Sequence, residues 1–283
     1  MGHILYSFKH CAFFAITFLA LCGTSLFSSS ITSAQAQTPK AEGFIETFED
    51  VGFRTRWWFS DFDFGGDRFI TGWRRQMAGV QMPVTKQAIN GGELVLKLAP
   101  APEEEQKAFF GAEVQRDALH HYGDYDVVMK AGSGTGVISS FFTYTGPHFG
   151  DPHHEIDVEI MGRRTDALYV NTFVDGEQSG GTYVPLGFDV AEEPTLFRFE
   201  WREDYVAWFV RGQEVHRLTS DDIVIPSVPG KLFMNIWNAA PRQEAWAGPV
   251  VYEQSTEARY YCVSYRPLGD PGQTCTDLVN PRP

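Results

Sequence analysis

Apolar and polar residues alternate with a period of two through most of the chain after residue 90. Such alternation belongs to a β-strand that buries one face. It predicts strands over 92–98, 122–130, 137–144, 155–161, 167–173, 195–201, 205–210 and 231–237. Gly, Pro, Asn and Asp punctuate the gaps between these runs, as turns require. Helical periodicity is scarce, and only 102–107 reads as a turn or two of helix. Many short strands at spacings of roughly ten residues predict a two-sheet antiparallel β-sandwich rather than alternating βα units. A jelly roll of the concanavalin A-like kind is the expected architecture. No internal repeat divides the chain, so 44–283 is expected to form a single domain with a short C-terminal extension.

The first 37 residues break this pattern. Lys9 and His10 precede an uncharged apolar run, and Ala34-Gln35-Ala36 supplies small residues at its exit. That order is the signature of a cleaved secretory signal, and the run falls short of the roughly 20 residues a spanning helix needs. Residues 38–43 then read as a linker, and the mature chain is expected to be secreted or periplasmic, free of the membrane. Cys11 and Cys22 leave with the signal; Cys262 and Cys275 remain and are expected to form a disulfide in an oxidising compartment. Cleavage removes one lysine and no acid, taking the net charge from −13 to −14. A surface so acidic excludes nucleic acid and other polyanions as electrostatically held partners. The 23 Phe, 11 Tyr and 7 Trp suit a β core, and some can stack on the apolar faces of sugar rings. Trp201 and Trp208 lie in strongly apolar runs and are expected in the core.

The chemistry concentrates at His153-His154-Glu155-Ile156-Asp157-Val158-Glu159. In a strand, Glu155, Asp157 and Glu159 share one face while Ile156, Val158 and Ile160 take the other. The two glutamates are about 13 Å apart along the backbone. Side chains leaning inward can bring their carboxyl groups to the ~5–5.5 Å of a retaining glycosidase. Asp157 between them raises the proton affinity of a neighbour by like-charge repulsion, which a carboxylic acid needs to act as a proton donor near neutral pH. The same pattern also fits a solvated acidic strand or a calcium site, since clustered carboxylates suit hard cations.

The stretch Glu155 to Glu159 resembles the active-site signature of glycoside hydrolase family 16, in the form carried by bacterial lichenases. Residues 122–130, 135–147 and 225–238 resemble further lichenase blocks in the same order. The resemblance implies a jelly-roll endo-β-glucanase acting on β-1,3-1,4-glucan or a related β-glucan or exopolysaccharide, with no cofactor, as a monomer. It implies Glu155 as nucleophile, Glu159 as acid/base and Asp157 as the assisting carboxylate. It places Glu113, Phe141, Tyr144, His153, Asn171, Asn235 and Trp237 against the substrate. A transglycosylase would use the same glutamates, whereas a non-catalytic glycan-binding jelly roll would be expected to lose one.

Departures from the lichenase pattern limit what it implies. His153 replaces a cleft tryptophan and His154 the residue beside the nucleophile, so the pair reads either as altered subsite chemistry or as solvated loop histidines. Gln115 stands for a cleft arginine, with Arg116 adjacent, and Gly65 for a sugar-binding asparagine. Tyr261 stands where a calcium-binding aspartate is expected, so no metal is assigned. Phe110 occupies the position of a lichenase disulfide cysteine, which leaves Cys262 and Cys275 as this chain's own pair.

Overall fold

A computed structural model describes residues 42–279 apart from 50–51, 83–88 and 90. The expected signal and the linker up to residue 41 lie outside the described residues. Early in the chain come β1 (Phe44–Glu46), a helical turn α1 (Phe53–Arg56), β2 (Trp57–Phe59), β3 (Thr71–Trp73) and β4 (Ala78–Gln81). The middle holds β5 (Glu93–Pro100), β6 (Phe109–His120), β7 (Gly123–Lys130), β8 (Val137–Thr145) and β9 (His154–Met161). After these come β10 (Ala167–Val174), β11 (Glu177–Pro185), β12 (Thr195–Trp201), β13 (Tyr205–Val210) and β14 (Gln213–Thr219). Last are β15 (Gly230–Asn238), the short helix α2 (Glu244–Ala247), β16 (Thr256–Pro267) and α3 (Cys275–Val279).

One sheet runs β11-β10-β9-β8-β15-β6, with β2 added along β6; the other runs β5-β16-β7-β12-β13-β14, with β4 on β5 and β1 on β16. They join at a corner where Ala99 and Pro100 of β5 pair with Phe110 and Phe109 of β6. Pairing is antiparallel except for β3, which runs parallel to β6 at the rim. The expected jelly-roll sandwich is what forms. All eight strands read from alternation are present within two residues at either end. The helical reading of 102–107 is corrected: the segment is a turn closed by the Glu105 N–H donating to the Pro102 carbonyl. Pro102 and three adjacent glutamates cannot bury an apolar face, so nothing extends it into a helix.

Between the sheets lies a core that accounts for the alternation. Ile156, Val158 and Ile160 from β9 meet Phe197, Phe199 and Trp208 from the opposite sheet, all fully buried. Trp208 also donates its indole N–H to the Asp157 carbonyl at 2.9 Å, so the strand carrying the acids is tied to the sheet behind it. Trp201 is equally buried and donates to the Pro226 carbonyl, as expected of a core tryptophan whose N–H must find a partner.

Two-residue turns set the register at the ends of the sheets. Asp175 and Gly176 both hold positive φ, 53° and 84°, joining β10 to β11. That is the mirror-image turn whose twist matches antiparallel strands, and Asp-Gly is a preferred pair for it. Cys262 in β16 and Cys275 in α3 form the expected disulfide.

Candidate active site

The face of the β11-to-β6 sheet turned away from the core reads as a grid, because antiparallel register lines up side chains of like parity. One row runs Glu113, Asn235, Ser140, Glu159, Tyr169 across five strands. The next runs Gln115, Phe233, Phe142, Asp157, Asn171. A third runs Lys231, Tyr144, Glu155, Phe173. The three carboxylates of β9 therefore occupy three successive rows near the middle of the sheet, with amides and aromatic rings on either side.

Asp157 is 3% exposed and Glu113 8%, while the Glu155 side chain keeps 19%. No arginine or lysine pairs with Glu113, Glu155, Asp157 or Glu159 in a salt bridge among the described residues. Burial without a cation favours the protonated form of each acid. For Glu155, burial pushes proton affinity up and a hydrogen bond from Asp157 pulls it back, with Glu159 and Glu113 adding repulsion. For Asp157, burial and the Glu155 charge both hold the proton, so Asp157 is the donor of the pair and Glu155 the acceptor. Burial, then the charge of Asp157, raises Glu159 well above the usual carboxylate range. Glu113 is pushed up to about 7 by burial, although Ser60 Oγ donates to its Oε1 at 2.7 Å and the Asn235 amide reaches its Oε2 at 3.5 Å. Glu155 is thereby pushed up to about 8, so at neutral pH the row still holds most of its protons, and the hydrogen bond from Asp157 is what favours ionisation of Glu155 within it.

The grid gathers most of the sequence-predicted site residues and sorts the rest. Glu113, Tyr144, Asn171, Asn235 and Trp237 all share the face of the acids. Phe141 does not, and that expectation is corrected. It is fully buried in the core and packs against Phe199, 5.8 Å between centroids. Parity explains it: if Tyr144 faces the site, so must Phe142, not Phe141. Phe142 indeed lies opposite Asp157 and stacks on Phe233 at 5.0 Å.

Solvated loop histidines are also ruled out. His153 reaches Oε2 of Glu155 through Nε2 at 2.6 Å and stacks on Phe173 at 4.8 Å. His154 is 6% exposed on the core side of β9, and its Nδ1 accepts the Ser227 N–H at 3.2 Å.

Arg116 does not replace the arginine missing at Gln115: it faces away, its guanidinium 3.8 Å over the Phe44 ring. Tyr261 is buried against Val128, Leu196 and the disulfide with its phenol hydrogen-bonded to Glu93, so a neutral phenol stands where calcium would need a carboxylate. The residues present do not fit that ion.

Sequence reasoning missed the aromatic border of the face. Trp58, Phe62 and Phe64, exposed by 44, 37 and 42%, pack ring to ring and continue through Phe69 to Trp237 and Trp246. Solvent-exposed rings in mutual contact, linked to the acid row through Trp237, form a platform fit for sugar faces. Period-two counting does not find Phe62, Phe64 and Phe69 because 61–69 is loop, and Trp58 lies in a strand only three residues long.

Comparison with known proteins agrees with this geometry. The sequence profile of Glycosyl hydrolases family 16 matches residues 76–255. A beta-glucanase of Brevibacillus brevis is 32% identical over 245 residues, 86% of this chain and 88% of that protein. A xylanase/beta-glucanase of Ruminococcus flavefaciens is 37% identical over 161 residues, 57% of this chain, and the match spans only 20% of that longer protein. The crystal structure of a prokaryotic beta-1,3-1,4-glucanase (lichenase) derived from a mouse hindgut metagenome superposes with a TM-score of 0.71 at 31% identity, covering 81% of this chain and 100% of that one.

Proposed function

The chain belongs to glycosyl hydrolases family 16, and on that footing we propose that it is a secreted, retaining endo-β-glucanase acting on a β-1,3-1,4-glucan or a related β-glucan or exopolysaccharide. The observation that carries the mechanism is the row Glu155, Asp157, Glu159 on one open sheet face, with no arginine or lysine in a salt bridge to it among the described residues.

Glu155 is the nucleophile. Its oxygen bonds to the anomeric carbon as the glycosidic bond breaks, and the electron pair leaves with the aglycone oxygen. Glu159 gives that oxygen its proton. The resulting carboxylate then takes a proton from water, whose oxygen displaces Glu155 and returns the sugar with its original configuration. Asp157 keeps its proton throughout and steadies the charge that appears and disappears on Glu155.

Glu113, Asn171 and Asn235 offer acceptors and amide donors to sugar hydroxyls. The rings from Trp58 to Trp237, with Phe142, Phe233 and Tyr144, stack on pyranose faces. The reaction draws on no cofactor, and the catalytic domain begins after the export signal and linker and acts as a monomer.

The test is product analysis by mass spectrometry after incubating the mature protein with β-glucan, xyloglucan, laminarin and bacterial exopolysaccharides, with and without an acceptor oligosaccharide. Short oligosaccharides of retained configuration from a β-glucan are expected, and Glu155→Gln should reduce their rate on the order of 10⁴-fold or more. Acceptor-extended products would turn the reading to transglycosylation. Undiminished turnover by Glu155→Gln would remove the nucleophile assignment.

A further inference from the structure

His153 makes the shortest polar contact to the acid row from outside it. Its Nε2 lies 2.6 Å from Oε2 of Glu155. The ring is clamped in that pose, stacked on Phe173 at 4.8 Å with an interplanar angle of 17° and met by the Tyr144 ring at 5.1 Å. Behind it is Gly176, held at a φ of 84°, where an added Cβ would come within 3.9 Å of Nδ1. A ring fixed between two aromatics and a tight turn has one direction in which to offer its Nε2, and Glu155 lies there.

We infer that His153 is a positioning residue for the nucleophile: its Nε2–H holds Oε2 of Glu155 and leaves Oε1 free to attack the anomeric carbon. The inference rests on the proposed role of Glu155. Burial depresses the basicity of His153, which favours the neutral ring, its one proton assigned to Nε2, the nitrogen that faces Glu155. His153 keeps that proton in both steps. In the first, Oε1 bonds to carbon and Oε2 becomes the ester carbonyl, still accepting from Nε2–H. In the second, the Oε1–carbon bond breaks and negative charge returns to a carboxylate that is already hydrogen-bonded.

The other groups near this contact are few. Tyr144 approaches from β8, and Phe173 of β10 carries no charge. Asp157, Glu159 and Glu113 act on Glu155 itself. His154, next in the chain, faces Asp175 at 3.8 Å on the opposite side of the strand. Lys231, beside Tyr144, is engaged by Asp117 at 2.7 Å.

A donated hydrogen bond favours the carboxylate over the acid, so removing it makes Glu155 harder to ionise and moves the acidic limb of kcat/KM upward. The experiment measures pH profiles of kcat/KM and kcat on a β-glucan oligosaccharide with a good aryl leaving group, which relieves the demand for a proton from Glu159. His153→Phe keeps the stacking on Phe173 and lacks the donor. His153→Gln places an amide N–H where Nε2 stood. The acidic limb of His153→Phe is expected to rise by about one pH unit, a loss of about tenfold in kcat/KM below the limb. His153→Gln is expected to return the limb towards that of the parent. An unmoved limb in His153→Phe, or a His153→Gln profile identical to it, would overturn the inference. Should His153→Phe fail to fold, His153→Met serves as the donor-free variant. Glu155→Gln, run alongside, separates the two levels. If it is inactive and the limb is unmoved, only the positioning role falls; if it is active, the nucleophile assignment falls with it.

Discussion

A cluster of carboxylates on one sheet of this sandwich and a pair on the other are treated in opposite ways. On the outer face of the second sheet, Asp126 is wholly buried. It receives Arg198 Nε at 2.6 Å and Nη2 at 3.1 Å, with the Thr276 N–H at 2.8 Å and its hydroxyl at 2.7 Å. Asp124 beside it is bound by Arg202 and Arg266; burial alone would raise its proton affinity, but the two guanidinium groups outweigh that and lower it. On the first sheet Glu113 and Asp157 are buried and Glu155 and Glu159 half-buried; none meets a guanidinium in a salt bridge among the described residues, and all are raised. Charge that is meant to stay put is surrounded by donors; charge that must move between protonation states is left without a cation. The unpaired set stores unfavourable free energy in the folded protein, as functional sites often do.

The contrast can be broken from either side. The largest effect on stability is expected at the paired set. Arg198→Met leaves Asp126 enclosed without its guanidinium partner, and should lower the unfolding free energy in urea by about 3–5 kcal/mol. Activity per folded molecule should remain. Opening the Cys262–Cys275 bridge, which spans 13 residues and holds α3 beside Asp126, comes next. Replacing both cysteines by serine should cost about 3 kcal/mol in the same measurement.

The smallest effect has the opposite sign. Glu113→Gln removes an unpaired acid while keeping an acceptor for Ser60, and should stabilise the protein by about 1–3 kcal/mol at high pH. The direction follows from the raised proton affinity. Glu113 is neutral in the fold up to about 7 but ionised in the unfolded chain above 4.5, so the native protein loses stability as pH rises between those values. The gain from Glu113→Gln should therefore be absent below pH 4.5 and complete above pH 7. Thermal melts of both proteins across that range check it.

Strands β8, β9, β10 and β15 of the first sheet were legible in the sequence because each has one face in the core and the other turned away from it. That is why Glu155, Asp157 and Glu159 could be placed on a single face from spacing alone. The same rule read one residue off misassigned Phe141, although the parity of Tyr144 already pointed to Phe142. Strands β6 and β16 were missed for a physical reason: β6 runs 12 residues from buried into exposed surroundings, and β16 is buried on both faces along most of its length, so neither keeps simple alternation. Strand β11 is polar and exposed along most of its length, so periodicity carries no signal, though Asp175-Gly176 before it marks a hairpin. The border rings Phe62 and Phe64 and the grip of His153 on Glu155 depend on loop conformation, which no local pattern encodes.

The central claim is that an unpaired acid row makes Glu155 the group that bonds to sugar. Its most direct test is covalent trapping with a 2-deoxy-2-fluoro β-glucosyl oligosaccharide bearing an activated leaving group, followed by peptide mapping in a mass spectrometer. One added glycosyl mass on the peptide containing Glu155, fragmenting to that residue, is the predicted result. A label on Glu159 or Asp157, or turnover of the reagent with inverted configuration and no label, would contradict it.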